Sequence, residues 1–542
     1  EERWIVREIA KELCESAADN LFPITGTGMT VRAKRLMFLG TGSDVGKSVL
    51  AAAFCRILKQ DGYSVAPFKA QNMALNSFIT PEGGEMGRAQ VVQAEAAGIA
   101  PHVDMNPILL KPTSQMGSQL IVHGKAVANF SASEYYQYKK NLIPVVKESF
   151  ERLAQHYDVV VLEGAGSAVE LNLKEHDLVN LAMAEMADAP CILVGDIDRG
   201  GIFAALLGSF MLMTPGERER IIGLVVNKFR GDPQLFTRGV EMMESHAGRP
   251  VFGVIPYFDH IALPEEDSVA LGRRMQRDRQ AASDDRLAIG VVRLPFVSNY
   301  TDFDCFEQEP GVDLEYFNRP ERAFQFDAVI LPGSKNTIED LDYLQRTGMA
   351  EAVVACYKSG GTVVGLCGGY QMLGLRVSDP HGVESRLQDV AGLGLLDMDT
   401  EMFPEKITSQ IEAAFLGHSG FSFRHSEALT GYEIHMGRSR SRGVAQPLFR
   451  LIRRGVRRVD EPEGLSQPDG RVWGTYIHGI FDNDDFRSHF LKDLRQRSGK
   501  ADAPPAALFS YGRWKEEQFD RLAAHVRRHC DVGRIYRRIG LC

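Results

Sequence analysis

The sequence predicts an α/β protein in which two parallel-sheet domains follow one another along the chain. Short, β-branched apolar runs alternate with longer helical stretches, a pattern typical of a parallel sheet covered on both faces. Many of these runs end in a loop that contains glycine or aspartate, where ligands collect in such folds. The length of 542 residues exceeds what one hydrophobic core usually serves, so several domains are expected.

Composition and charge along the chain predict the domain boundaries. We expect a helical N-terminal extension over 1–33, a first α/β domain over 34–264, a charged linker over 265–285, a second α/β domain over 286–495 and a basic tail over 496–542. Two Arg-Arg pairs indicate that the tail forms a solvated helix. The predicted strands are 35–39, 159–162, 191–194, 221–226 and 251–255 in the first domain, and 287–293, 328–331, 362–366 and 472–477 in the second.

The overall composition is ordinary for a soluble globular protein, with 44% hydrophobic and 25% charged residues. A net charge of −9 argues against a nucleic-acid binder, whose affinity would depend on a basic face. No apolar run approaches the roughly 18–20 residues of a membrane span, and we expect no membrane partner. The eight cysteines lack C-x-x-C and metal-ligand spacing, so we expect reduced thiols in a cytoplasmic protein.

The segment from Gly40 to Ser48 lies between an apolar strand and an Ala-rich helix and is typical of a phosphate-binding loop. In such a loop the helix N-terminus holds phosphate oxygens, the lysine reaches the β- and γ-phosphates, and the hydroxyl ligates Mg²⁺. The leading glycine lies one residue earlier than usual, and a plain Gly-rich turn is the alternative interpretation. We expect ATP to bind at Gly40, Asp44, Gly46, Lys47 and Ser48.

Two later loops add to this predicted nucleotide site. Glu163 ends a buried strand, a position that suits a second Mg²⁺ ligand beside Ser48 or a group that positions water. Asn227 and Lys228 follow another strand, and this dipeptide resembles the base-recognition element of P-loop proteins. We therefore expect ATP and Mg²⁺ to bind at the carboxyl edge of the first sheet.

The first half resembles the dethiobiotin synthetase branch of P-loop enzymes. Its loop has the same six-residue separation of glycines, and its second strand ends in Glu-Gly-Ala-Gly at 163–166. The resemblance implies phosphorylation of a carboxylate or carbamate. Polar residues that could contact a carboxylate substrate are Lys69, Asn72, Arg88, Lys111, Asp196, Asp198 and Arg199; a solvated position is the alternative for each.

A glycine-flanked cysteine, Cys367, follows the predicted strand 362–366 and opens a short helix. Such an elbow exposes a nucleophile, and the helix N-terminus favours its thiolate. The N–H groups of Gly333 and Gly368 are candidates for an oxyanion hole, and His478 ends a late strand as a candidate base. A lone cysteine is more often a buried inert thiol, but the combination favours a nucleophile.

The second half resembles class I glutamine amidotransferase domains, which release ammonia from L-glutamine through a glutamyl thioester. Those domains carry a glutamate two residues after the catalytic histidine, but this chain has Ile480 there. The third triad member is therefore missing or supplied elsewhere, and slow glutaminase activity is expected. Glu433 and His435 provide another acid and imidazole, as candidate auxiliary residues.

The two halves together are similar to the cobyrinate amidase family of cobalamin biosynthesis. The specific runs are 71–77 (Gln-Asn-Met-Ala-Leu-Asn-Ser), 196–201 and 432–437, and the resemblance covers roughly residues 34–495. It implies ATP- and glutamine-dependent amidation of the b, d, e and g carboxylates of adenosylcobyrinic acid a,c-diamide to adenosylcobyric acid. The cobalt would belong to this corrinoid substrate, and no protein metal site beyond Mg²⁺ is expected.

Three alternatives stay open at this point. A cobyrinic acid a,c-diamide synthase shares both chemistries, although the run 71–77 favours the other assignment. A lipid-linked muropeptide amidase would need a Mur-ligase ATPase domain, which the sequence does not indicate. A regulatory or partitioning P-loop ATPase would carry a second lysine early in its loop, and residues 40–43 supply none. A homo-oligomer is compatible with the sequence.

Overall fold

The computed structural model describes residues 33–112, 117–264, 285–385, 387–422, 424, 427–443, 445–500 and 509–541. The predicted helical extension over 1–33 and the predicted linker over 265–285 lie outside the described residues, except for residues 33 and 285. The chain forms two compact units. Of the described residues, the first unit comprises those within 33–74, 85–264 and 514–541, and the second comprises those within 75–84 and 285–513.

The first unit contains a parallel sheet that has six strands among the described residues. Across the sheet the strands are Val251–Pro256, Ile221–Phe229, Cys191–Asp196, Lys34–Gly40, Val159–Glu163 and Val65–Phe68. Every strand predicted for the first half is therefore present. Fully apolar runs fit such a sheet because helices cover both of its faces. The order places the ends of three neighbouring strands, at Gly40, Glu163 and Asp196, along one edge.

A smaller sheet and a set of helices complete this unit. The smaller sheet, which the sequence analysis did not predict, contains Gln71–Met73, Ile108–Pro112, Gly117–Val122 and Lys125–Ser131; the short strand Glu85–Gly87 also lies in this unit. The helices are Lys47–Gln60, Arg88–Ala97, Ala132–Tyr138, Ile143–His156, Leu181–Met186, Ile202–Leu212, Pro215–Arg220 and Thr237–Ala247. The helix Lys47–Gln60 begins directly after the phosphate-binding loop, with Gly46 as its left-handed N-cap.

The helices Tyr511–His529 and Val532–Ile539 of the C-terminal tail pack into the core of the first unit. Four apolar side chains with the i, i+3, i+4, i+7 spacing of one helix face are buried in that core: Phe519, Leu522, Ala523 and Val526. The prediction that this tail is a solvated helix is wrong. The Arg-Arg pairs indicated an exposed helix, but the apolar stripe on one face of the helix determines where it packs.

The second unit is built on a mixed sheet. Its parallel part contains, in order, Val312–Phe317, Leu287–Val292, Ala328–Leu331, Thr362–Leu366 and Val472–Thr475. These include every strand predicted for the second half, so the α/β fold class is confirmed in both halves. The carboxyl ends of four adjacent strands meet at one edge, where the loops to residues 302, 333, 367 and 478 begin.

Further strands of 3 to 18 residues extend this sheet beyond Val472–Thr475, and the sequence analysis did not predict them. They are Arg376–Ser378, Asp389–Ala391, Met398–Phe415, Leu429–Ser441, Gln446–Arg454 and Arg457–Ser466, with mostly antiparallel pairing. The strand Ser77–Ile79 belongs to the same unit. The helices are Asp304–Gln308, Thr337–Arg346, Met349–Lys358, Gly368–Met372 and Asp484–Arg497. Leu429–Ser441 places Ile434 next to Cys367.

Candidate functional site

The loop that ends in Gly46 holds a buried lysine against backbone carbonyls. Lys47 Nζ donates hydrogen bonds to the carbonyls of Gly42 (2.8 Å) and Gly166 (2.9 Å). Gly46 has a φ of 99°, and a Cβ at this residue would lie 2.1 Å from Nδ2 of Asn227. Both conformation and space therefore require glycine at the turn into the helix. The first N–H groups of a helix have no partner within it, so this turn is suited to an anion.

Glu163 is the centre of a buried polar cluster beside that loop. Its Oε1 accepts hydrogen bonds from Ser48 Oγ (2.7 Å) and Lys69 Nζ (2.9 Å), and its Oε2 accepts one from Gln93 Nε2 (2.6 Å). Burial alone would raise the pKa of Glu163, but the Lys69 ammonium and these hydrogen bonds hold the pKa below its ordinary value. The carboxylate is therefore ionised. Lys69, predicted as a substrate contact, lies beside the phosphate-binding loop.

The predicted base-recognition and acidic residues bond to the other side of the same loop. Asn227 Nδ2 donates a 2.8 Å hydrogen bond to a loop carbonyl, and Lys228 Nζ donates to the carbonyl of Asp44. The same ammonium lies 2.9 Å from Asp196 Oδ2. Arg199 lies 3.5 Å from Asp44 and 3.7 Å from Asp196. These contacts bring together residues that are far apart in sequence and make the loop a polar, charge-paired site.

The other predicted substrate residues have partners of their own in the first unit. Arg88 and Lys111 are buried rather than solvated, and each lies beside a carboxylate. The pairs are Arg88 with Glu95 (3.8 Å), Lys111 with Glu85 (2.8 Å), Asn72 with Gln90 (3.1 Å) and Asp198 with Arg230 (2.6 Å). Because an ammonium has three N–H donors and a guanidinium five, each cation can bind its partner and a substrate carboxylate at once, so these ion pairs do not test that role. These two residues therefore stay a prediction.

In the second unit, Cys367 lies at a sharp turn between the strand Thr362–Leu366 and the helix Gly368–Met372. Its backbone has φ 50° and ψ −107°, a region that non-glycine residues rarely occupy. A Cβ at Gly369 would lie 2.0 Å from the carbonyl oxygen of Leu331, so only glycine fits there. The Cys367 Sγ lies 3.5 Å from the carbonyl oxygen of Ile434. This geometry is that of a strained nucleophile elbow.

His478 is held by a carboxylate that the sequence analysis did not identify. Its Nδ1 lies 2.7 Å from Oδ2 of Asp302, and the other oxygen of Asp302 accepts a 2.9 Å hydrogen bond from the N–H of Gly479. The imidazole and carboxylate are almost fully buried, with 1% and 3% of their side chains exposed. Asp302 is therefore the candidate for the orienting carboxylate, whose expected position holds Ile480 in this chain. In the sequence, the feature that could have pointed to Asp302 is its position after Leu287–Val292, the first strand of the second sheet along the chain.

The charges around His478 favour its protonated form. Burial alone would lower its pKa, but the Asp302 carboxylate and the Cys367 thiolate raise the pKa above its ordinary value. Among the described residues, the buried Nε2 atom of His478 has no hydrogen-bond partner of normal geometry. This atom is therefore available to exchange a proton with the Cys367 thiol. A buried imidazolium that Asp302 orients beside Cys367 follows from these contacts.

The two predicted oxyanion glycines lie in the same cluster. A Cβ at Gly368 would lie 2.8 Å from the backbone nitrogen of Ser334, and one at Gly333 would lie 3.3 Å from Cε1 of His478. The loop after Ala328–Leu331 therefore approaches both the cysteine turn and the histidine. Backbone N–H groups from two loops can converge on a substrate oxygen only where the backbones come this close.

Comparison with known proteins assigns both halves. Residues 36–270 match the family described as the CobQ/CobB/MinD/ParA nucleotide binding domain, and residues 288–486 match the CobB/CobQ-like glutamine amidotransferase domain. A cobyric acid synthase of Syntrophobacter fumaroxidans is 74% identical over 513 residues, covering 95% of this chain and 100% of that protein. Those of Thermoanaerobacter sp. and Desulfitobacterium hafniense are 46% and 48% identical, covering 93% and 94% of this chain and 98% of each relative.

The chain belongs to the cobyric acid synthase family. The prediction of a cobyrinate amidase is confirmed, as is the order of its two domains, a nucleotide-binding domain followed by a glutamine amidotransferase domain. Membership in the cobyric acid synthase family also decides against a partitioning ATPase, since that class would account for the first half alone. Among the described residues, no helix combines the length and the apolar character needed to cross a membrane.

Within this cobyric acid synthase fold, the two auxiliary candidates form a separate cluster. Glu433 accepts hydrogen bonds from Arg454 at 2.9 and 3.3 Å, and it lies 3.9 Å from Nε2 of His435. The His435 ring stacks on Tyr476 with centroids 3.8 Å apart. Both side chains flank Ile434, whose carbonyl contacts the candidate nucleophile. The contacts described for His478 include neither Glu433 nor His435, which fits a supporting role.

Proposed function

We propose that this protein uses ATP and L-glutamine to amidate the b, d, e and g carboxylates of adenosylcobyrinic acid a,c-diamide, giving adenosylcobyric acid. The observation that carries this proposal is the full-length similarity to cobyric acid synthases, 74% identical over 95% of the chain in one relative. The proposed steps are supported by the two polar sites, one around Lys47 and Glu163 and the other around Cys367 and His478.

The first step makes the substrate carboxyl group reactive. A carboxylate oxygen of the substrate attacks the γ-phosphorus of ATP, and the bond to the β–γ bridging oxygen breaks. ADP departs, and the substrate carboxylate has become an acyl phosphate. Lys47 lies in the phosphate-binding loop, where an ammonium stabilises the charge that moves to the leaving oxygen. Ser48 Oγ and Glu163 Oε1, which lie 2.7 Å apart, would hold Mg²⁺ through the oxygen ligands that it prefers, and the ion would supply positive charge against the phosphates.

The second step releases ammonia from glutamine. The Cys367 thiolate attacks the side-chain amide carbon, and the N–H groups of Gly333 and Gly368 bind the resulting oxyanion, a role that the close approach of their two loops supports. His478 gives its proton to the departing nitrogen, so that ammonia leaves and a glutamyl thioester remains. His478 then takes a proton from the water that cleaves the thioester. Asp302 holds the imidazole in one tautomer and stabilises its charge throughout.

Amide formation joins the two half-reactions. Ammonia attacks the acyl-phosphate carbon, phosphate leaves, and the nitrogen loses a proton. We place this biosynthetic activity in the cytoplasm, where ATP and glutamine are available. Free thiols at Cys55, Cys191, Cys305, Cys356, Cys367 and Cys530 support that placement, because they fit a reducing compartment.

The decisive experiment supplies the full chain with ATP, Mg²⁺, glutamine and the corrinoid a,c-diamide, and follows carboxyl-to-carboxamide conversion by mass spectrometry. We expect four successive conversions with ADP release, each dependent on glutamine or ammonia. If the protein instead amidates only cobyrinic acid at its a and c carboxylates, the activity is that of the a,c-diamide synthase. If ATP is hydrolysed with no amide formed on either corrinoid, the proposal is wrong.

A further inference from the structure

The segment 75–84 belongs to the second unit, although the residues on both sides of it in sequence belong to the first. Its residues Asn76, Ser77, Ile79 and Thr80 are fully buried, with 0% exposure. The segment contains the end of the run 71–77, which the nucleotide chemistry above does not use. A buried polar segment contributed by the amino-terminal half of the chain therefore lies inside the glutaminase unit.

Asn76 and Ser77 bond to the turn that presents Asp302. The N–H of Tyr300 donates a 3.1 Å hydrogen bond to Oδ1 of Asn76, and Asn299 Nδ2 donates one of 3.1 Å to the carbonyl of Ser77. The Asp302 N–H in turn donates to the carbonyl of Asn299 at 3.1 Å. Asn299 has a φ of 54°, so this turn is held in a conformation that needs support.

The same segment also reaches His478, through Tyr432. The Tyr432 hydroxyl donates to the Ser77 carbonyl at 3.3 Å and accepts a 2.9 Å hydrogen bond from Asn299. Its ring stacks on the His478 imidazole with centroids 5.2 Å apart and an interplanar angle of 19°. Two backbone hydrogen bonds, of 3.1 and 2.9 Å, join Tyr432 to His478. The Phe78 ring packs against the Tyr432 ring, with the two centroids 4.9 Å apart.

We propose that Asn76 and Ser77 are positioning residues of the glutaminase, which fix the Asp302 turn and Tyr432 so that the imidazole of His478 stays aligned with Cys367. This inference rests on the proposed glutamine hydrolysis. Apolar packing of the segment is already provided by Ile79, which clusters with Tyr432 and Ile434. The buried amide of Asn76 adds nothing to such packing, and burying it is unfavourable unless it is hydrogen-bonded. Its one described bond is to the N–H of Tyr300 in the catalytic turn.

The test is Asn76→Ala in the full chain, with glutamate release as the readout. Loss of the acceptor for the Tyr300 N–H should loosen the Asp302 turn and lower kcat for glutamine hydrolysis by roughly 10-fold, because small misplacements of catalytic groups are costly in rate. The KM for glutamine should change little, since no binding contact is removed. Amidation supported by ammonia should continue at the wild-type rate.

Two further variants separate positioning from general stability. Thr80→Val changes an equally buried residue, removes only its side-chain bonds to Gly84 and should leave kcat unchanged. If Asn76→Ala fails to fold, Tyr432→Phe removes the bonds to Ser77 and Asn299 but keeps the ring on His478, and it should lower kcat severalfold.

The outcomes are distinguishable from failure of the proposed function. Wild-type protein that releases no glutamate would defeat the proposed function and this inference together. Active wild-type protein with unchanged kcat in Asn76→Ala, or in Tyr432→Phe where that is the variant that folds, would defeat the positioning role alone. An equal loss in Thr80→Val, or a parallel loss of ammonia-supported amidation, would show that the segment only maintains the fold.

Discussion

The phosphate-binding loop and the glutaminase site are assembled in different ways. The centre of the first site is one continuous segment: residues 40–48 supply the glycines, Lys47 and Ser48, and later strand ends add Glu163, Asn227 and Lys228. The glutaminase site takes its orienting carboxylate, nucleophile and base from residues 302, 367 and 478, each in the segment that follows a different strand. The polar partners Asp302 and His478 are 176 residues apart in sequence. A site whose residues are close together in sequence can be predicted from a sequence motif. A site whose residues are brought together by the order of strands can be assigned only once the fold is known.

The electrostatic arrangement also differs between the two sites. At the phosphate site a carboxylate, Glu163, stays ionised because Lys69 and its hydrogen bonds outweigh burial. At the glutaminase site an imidazole, His478, stays protonated because Asp302 and Cys367 outweigh burial. The first arrangement suits a metal ion and phosphates, and the second suits a proton donor to a leaving nitrogen. Variants that act on one site and spare the other test this division.

Cys367→Ala should have the largest effect. Without the nucleophile no glutamyl thioester forms, and glutamine-supported amidation should fall by roughly 10⁴-fold or more. Ammonia-supported amidation should remain near the wild-type rate, because the carboxylate is still activated by ATP. Product formation with each nitrogen source, read by mass spectrometry, checks both statements.

The matched control is Cys356→Ala, which removes another buried thiol of the same unit that lies on the helix Met349–Lys358. It should retain activity with both nitrogen sources. Loss of ammonia-supported amidation in Cys367→Ala would mean that the cysteine is structural or that the two half-reactions are inseparable. His478→Asn should resemble Cys367→Ala with both donors.

Asp302→Asn should have the next largest effect, on glutamine hydrolysis alone. The equivalent change in a serine triad costs about 10⁴-fold, and we expect on the order of 10³-fold here because a thiol depends less on its base. Asp302 raises the pKa of His478, so its replacement should lower that pKa. The imidazolium would then lose its proton at lower pH, and the alkaline limb of the glutaminase profile should move in that direction.

The control for this variant is Asp304→Asn, a buried carboxylate two residues away on the following helix. Its rate should stay within a few-fold of wild type, with the pH profile unchanged. A glutaminase rate that is indifferent to Asp302→Asn would show that the 2.7 Å contact with His478 is not catalytic, and the triad would again lack its third member.

The sequence predicted the parallel strands of both units because buried parallel strands are continuous apolar runs. It did not predict the antiparallel extension, whose strands such as Gln446–Arg454 mix buried apolar residues with exposed arginines and lack such a run. It misread the C-terminal tail for a related reason, since the charge of the Arg-Arg pairs masked the stripe at Phe519 and Val526. Asp302 carries no local motif, so only strand order places it beside His478.

Lys47→Ala should lower amidation with either nitrogen source, by roughly 10²-fold, since it removes a cation that stabilises moving phosphate charge. Glutamine hydrolysis at Cys367 should survive in this variant. Lys59→Ala, an exposed position in the last turn of the same helix, is the matched control and should be neutral. Near-normal ammonia-dependent amidation in Lys47→Ala would rule out this loop as the ATP site and the proposed order of steps.

Glu433→Gln should have the smallest effect and tests where the glutaminase site ends. Glu433 bonds to Arg454 and lies beside His435, whereas the imidazole of His478 is held by Asp302. Removing its charge should therefore weaken a supporting cluster and change the glutaminase rate by less than roughly 10-fold, since a net hydrogen bond is worth about 1 kcal/mol. His435→Asn should behave in the same way. The measurement is the rate of glutamate release, compared with that of Asp302→Asn. A loss in Glu433→Gln as large as the loss in Asp302→Asn would make Glu433 part of the proton-transfer machinery. The glutaminase site would then extend beyond residues 302, 367 and 478.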